Sequence, residues 1–66
     1  MAGIRAIPRV NWNSIPGLRY RVLRKPSPEV ADWTVVLPAV VATETESHFV
    51  DADAPVTAIY LIERVP

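Results

Sequence analysis

The residues Val10-Asn11-Trp12-Asn13-Ser14-Ile15-Pro16-Gly17-Leu18-Arg19-Tyr20-Arg21-Val22 hold two alternating segments around a turn signal. In the first, Val10 and Trp12 share one side and Asn11 and Asn13 the other, the period of a half-buried strand. Pro16 presets the first central position of a type II turn, and Gly17 supplies the positive φ that the second requires. Beyond the turn, Leu18, Tyr20 and Val22 face inward and alternate with Arg19 and Arg21. Strands at about 9–14 and 18–24 are therefore predicted, and their proximity along the chain reads as a hairpin.

Working outward, the same punctuation repeats. Pro8, Pro16, Pro26, Pro28, Pro38 and Pro55 cut the chain into pieces too short for long helices, and each biases its preceding residue toward extended backbone. Ten valines, five isoleucines and four threonines favour strands within those pieces. Residues 25–32 read as a proline-stiffened loop with room for one helical turn at 28–31. A third strand, 33–37, puts Trp33, Val35 and Leu37 on its core face and Val36 on the other, and Pro38 interrupts it, leaving 39–42 as an irregular or bulged continuation. A fourth, 43–50, carries Glu44, Glu46 and His48 on one side and Thr45, Ser47 and Phe49 on the other. Asp51 and Asp53 then mark a polar loop.

The fifth strand, 57–65, differs from the others because both of its faces are apolar. Tyr60 and Ile62 join the core on one side, so Ile59 and Leu61 point outward, where a partner should cover them. Together with Val36 they form the candidate interface. The predicted core is Val10, Trp12, Tyr20, Val22, Trp33, Val35, Phe49, Tyr60 and Ile62, and the fold class is all-β: a small antiparallel sandwich or sheet of about five strands in one domain, with 1–8 as an arm or edge strand.

Composition makes covering the outer face a matter of stability. A chain of 66 residues buries only about 60% of the surface its unfolded form exposes. It has no cysteine for a disulfide, and a single histidine does not make a structural zinc site. Regular packing or burial against another chain is left to stabilise it. No apolar run approaches the roughly 18 residues of a membrane span, and residues 1–10 lack the apolar stretch of a signal peptide. A soluble chain without membrane insertion is expected.

The order of landmarks also resembles a family. The stretch 10–22 quoted above, Asp32-Trp33-Thr34 after a loop, Ser47-His48-Phe49-Val50-Asp51-Ala52-Asp53-Ala54-Pro55, and the tyrosine-bearing strand 58–65 resemble fibronectin type III-like modules near the C-termini of large bacterial surface proteins. The resemblance implies core roles for Trp12, Tyr20, Trp33, Phe49 and Tyr60, and makes the five strands similar to strands B, C, C′, E and F. It also implies an extracellular, envelope or virion-surface setting. A full module has about 100 residues and seven strands. The strand after F is missing, and only residues 3–7 are left for a first one, so sheet edges stay open to strand addition from another chain.

Charge is balanced in total but divided along the chain. Residues 1–28 hold six cations and no acid, whereas residues 29–66 hold all seven acids and only Arg64. The plainer reading is that basic strands lie beside acidic ones, as Arg19 and Arg21 would beside Glu63. The alternative makes Arg19, Arg21, Arg24 and Lys25 a contact for nucleic acid or another polyanion, or Trp33 a carbohydrate contact.

Catalytic patterns are weak. Glu44, Glu46 and His48 share a strand face but spread over roughly 13 Å, too far for one metal ion. Asp51 and Asp53 lack the surroundings of a calcium loop. Ser14, Ser27 and Ser47 have no glycine elbow, and Gly3 and Gly17 stand alone rather than in a phosphate loop. The expectation is a non-catalytic structural or assembly module without cofactor, self-associating through open sheet edges and its apolar outer face.

Overall fold

A computed structural model describes residues 7–66 of the chain. Five strands run in order β1 (Arg9–Asn13), β2 (Arg19–Lys25), β3 (Thr34–Val41), β4 (Glu46–Val50) and β5 (Ile59–Val65), with no helix among the described residues. They form two antiparallel sheets, β1–β4 and β3–β2–β5. The all-β class holds, in a small sandwich-like arrangement. The first strand expected at 3–7 falls almost wholly outside the described residues.

The turn between β1 and β2 forms as its residues dictate. Gly17 has φ 92°, and the Leu18 amide donates to the Ile15 carbonyl at 3.1 Å. It does not close a hairpin. β1 pairs with β4, and β2 pairs with β3 and β5, so the turn carries the chain from one sheet to the other. Turn chemistry settles a local reversal of direction and says nothing about which strand is the neighbour. The Gly17 amide donates to the Ala42 carbonyl at 2.9 Å, and the Ala42 amide donates to the Leu18 carbonyl at 2.9 Å, which fastens the crossover to the end of β3.

Crossing between sheets puts Trp12 and Tyr20 on opposite sides of the interior. Their rings lie 6.4 Å apart and tilted by 53°, a favourable aromatic geometry. The Tyr20 hydroxyl accepts from the Ile15 amide at 2.9 Å, so the same ring braces the turn. Ser14 closes the end of β1: its hydroxyl donates to the Glu44 carbonyl at 2.7 Å and lies 2.7 Å from the Ser47 hydroxyl.

The interior is small. Tyr20, Val22, Leu23, Ala42 and Ala54 are the buried apolar residues among those described, and Val22 alone is a fully buried larger side chain. Val10, Trp12, Phe49, Tyr60 and Ile62 are half-buried. Register places Val10 opposite Phe49 and Trp12 opposite Ser47 in one sheet, and Val22 opposite Ile62 in the other.

β3 corrects two expectations. It runs on through Pro38, as a bulged continuation would, with register shifts against β2 on both sides of Val22. Val22 pairs with Leu37 but the next residue, Leu23, pairs with Val35, so Val36 is an extra residue. Each extra residue flips the faces that follow. Leu37 therefore points inward, whereas Val35 lies beside Leu23 on the outer face and is 46% exposed. Val35 is not a core residue, and neither is Trp33, which is half-buried under Lys25 on the same outer side. Val36 is not an outer-face residue, because it lines an interior-side cleft with Phe49 and Asp51.

Candidate association surface

β2 and β5 pair without any register shift from Arg19 with Val65 to Lys25 with Ile59. Alternation along both strands then divides their side chains cleanly. Tyr20, Val22 and Arg24 turn inward with Arg64, Ile62 and Tyr60. Arg21, Leu23 and Lys25 turn outward with Glu63, Leu61 and Ile59. Across the outer face, Val35, Leu23 and Leu61 form one apolar row, with Leu23 buried in the middle and Leu61 39% exposed. Ile59 and Trp33 extend the apolar surface on the Lys25 side, and the Arg21 side is bounded by charge.

The four basic residues read as a polyanion contact are each engaged within the chain. Arg21 Nε donates to Glu63 Oε1 at 2.6 Å, in a pair about 40% exposed on both sides. Arg19 donates through Nη2 to the Pro66 carbonyl. Lys25 sets its ammonium 4.6 Å from the centre of the Trp33 ring, a cation–π contact. Arg24 is the correction: it lies on the inner face, so the four do not make one surface.

The partner of Arg24 was missed by sequence reading. Asp51, buried to 4% exposure in the β4–β5 loop, accepts on a single oxygen from Arg24 Nη1 at 2.6 Å and from the Tyr60 hydroxyl at 2.8 Å. Its backbone amide donates to the Pro8 carbonyl at 3.0 Å, so the loop, β2, β5 and the approach to β1 meet at this residue. Burial pushes the Asp51 carboxyl up, but hydrogen bonds from Arg24 and Tyr60 and the charge of Arg24 outweigh it and hold the group below the usual carboxylate range. Burial raises the Tyr60 phenol, and its bond to Asp51 raises it further. The hydrogen bond to Asp51 raises the Arg24 guanidinium. A signal was available: Arg24 stands at an inward position in the alternation of β2, and a charge turned inward requires a partner.

The remaining reactive residues do not converge. Glu44, ahead of β4, and Glu46 and His48, on it, are exposed, and no three His, Asp or Glu groups come together as a metal site among the described residues. Among the described residues no helix is long and apolar enough to cross a membrane. A cleft of about 280 Å³ opens beside Trp12, Tyr20, Leu37, Val40 and Ser47. Trp12 Nε1 is buried without a hydrogen-bond partner among the described residues.

Neither a protein-family model, a curated protein nor a solved structure matches this chain. The functional reading therefore rests on the surface itself.

Proposed function

We propose that this chain is a non-catalytic structural or assembly module, resembling a fibronectin type III-like domain, that works by associating with further copies of itself. The observation that carries this reading is the row Val35–Leu23–Leu61 on the outer face of a domain in which, among the described residues, one larger side chain is fully buried. Exposed apolar surface beside so small an interior is what a self-associating unit presents. The strand pairing supports the resemblance. With β1 to β5 taken as B, C, C′, E and F, B beside E and C beside F and C′ is the division between sheets that sandwiches of this architecture use. Sedimentation across micromolar concentrations tests the function. Reversible oligomers are expected, and a folded monomer throughout the range would overturn the reading.

The polyanion reading carries less weight because Arg21 and Arg24 are paired with acids and Arg24 faces inward. It requires retention on heparin or nucleic acid that falls steeply with added salt. An unretained chain at low salt removes it.

A further inference from the structure

The four outer sheet edges among the described residues are not equivalent, and their differences select one contact. β1 and β4 have five residues each, and their outward positions are largely polar: Arg9, Asn11 and Asn13 on β1, Glu46 and His48 on β4. β3 is interrupted along its edge by Pro38, which has no amide to donate, and by two register shifts. β5 has seven residues, no proline and an unshifted register with β2, and among the described residues it pairs with no other strand. A long, regular and mostly apolar edge is an open template for a further strand.

Symmetry and parity restrict what can be added. A two-fold axis normal to the sheet pairs β5 with itself antiparallel and keeps inward residues opposite inward ones, so the axis must pass through a residue. Through Glu63 it would set Glu63 against Glu63, and through Arg64 it would set two arginines together. Through Ile62 it would place Leu61 against Glu63 of the second copy and break the apolar row. Through Leu61 the row becomes continuous across six strands, Val35–Leu23–Leu61 meeting its own repeat. On the inner side Tyr60 then faces Ile62 of the second copy twice, an aromatic and β-branched pairing that stabilises sheets. Glu63 falls opposite Ile59 of the second copy, in line with Lys25 beyond it, so cation and anion lie along one row.

We infer that two copies of this chain join β5 to β5 antiparallel, with Leu61 on the two-fold axis, into a continuous six-stranded sheet. This deepens the self-association reading and rests on it. The chain has no cysteine, so thiols can be placed singly. Residues directly opposite on antiparallel strands have Cα atoms about 4.5–5.5 Å apart, within the range a disulfide spans. Leu61→Cys should therefore cross-link to its own copy under mild oxidation. Ile59→Cys or Glu63→Cys alone puts its symmetry mate about 14 Å away along the strand and should cross-link about ten times more slowly or not at all. Mixing Ile59→Cys with Glu63→Cys chains should restore fast cross-linking. Circular dichroism of each reduced variant checks that the sheet is retained, and the mixed pair tests the register without altering Leu61. If the unmodified chain sediments as a dimer while Leu61→Cys stays uncross-linked, or all three single variants react alike, the β5 register is overturned and association survives. Monomers at every concentration overturn both.

Discussion

At Asp51 a single carboxylate oxygen ties together the β4–β5 loop, β2 through Arg24 and β5 through Tyr60. Asp51→Asn removes the charge that Arg24 faces and should destabilise the fold by about 1–3 kcal/mol, read from urea denaturation, because charge-assisted bonds to a buried partner are the costly ones to lose. The pH dependence has a definite sign. The folded carboxyl lies below its ordinary value of about 3.9, so the unfolded chain binds the proton first as acid is added. The stabilisation is thus complete above about pH 4 and is lost as pH falls through the folded value. Melting temperature should drop in that window for the native chain and much less for Asp51→Asn. For Tyr60 the sign reverses: its phenol is raised, so its contribution is present below about pH 10 and is lost as pH climbs through the folded value. Tyr60→Phe should flatten that alkaline limb. Gly17 offers a second residue-scale check. A Cβ there meets nothing within 4 Å, yet φ of 92° is strained for any other residue, so Gly17→Ala should cost about 1 kcal/mol through backbone conformation alone.

Between elements, what was legible depended on whether a strand keeps its period. β2 and β5 pair from end to end without a shift, so their alternation carries through uninterrupted, and Arg21 lies beside Glu63 as expected. β3 breaks the period at Val36, where the extra residue exchanges the two faces, and no residue type in Val35-Val36-Leu37 marks the site of a bulge. The hairpin expectation failed for a related reason: Pro16-Gly17 specifies the bend, whereas β1 finds its partner in the distant β4 and β2 finds its partners in β3 and β5. Both points can be measured. Val35→Lys, on the exposed outer face, should leave the monomer's urea midpoint nearly unchanged, whereas Val36→Lys places a charge against Phe49 and should lower it clearly. If the two behave alike, the bulge is misplaced. For β2 and β5, Arg21→Glu sets two carboxylates together and should cost about 1 kcal/mol, since the native pair is roughly 40% exposed and worth little more. Adding Glu63→Arg to that variant should restore most of the loss, which a change in strand propensity alone would not do.

For the whole molecule, the balance between interior and surface sets the expected behaviour. Val22 is the one fully buried larger side chain among the described residues, while Val35, Val40, Val41 and Leu61 all stay more than a third exposed on the three-stranded sheet. Full burial of an aliphatic side chain gives about 1.5–3 kcal/mol, so an interior this small leaves the isolated domain near the limit of stability. Under the proposed self-association, assembly is part of folding: a partner that binds only the folded form raises stability in proportion to the logarithm of its concentration. Unfolding of the native chain should shift to higher temperature as protein concentration rises, by a few degrees per tenfold step for a domain of this size. Leu61→Arg places a charge in the middle of the apolar row, opposite its own copy in the proposed dimer, and should abolish that dependence. Its melting temperature should fall onto the native chain's dilute limit and stay there at every concentration. Leu61 is already 39% exposed in the single chain, so the substitution costs the monomer little and the difference between the two curves isolates the contact. A native chain whose melting temperature ignores concentration would mean that 66 residues without a staple stabilise themselves, and that the outer row has no part in holding the fold together.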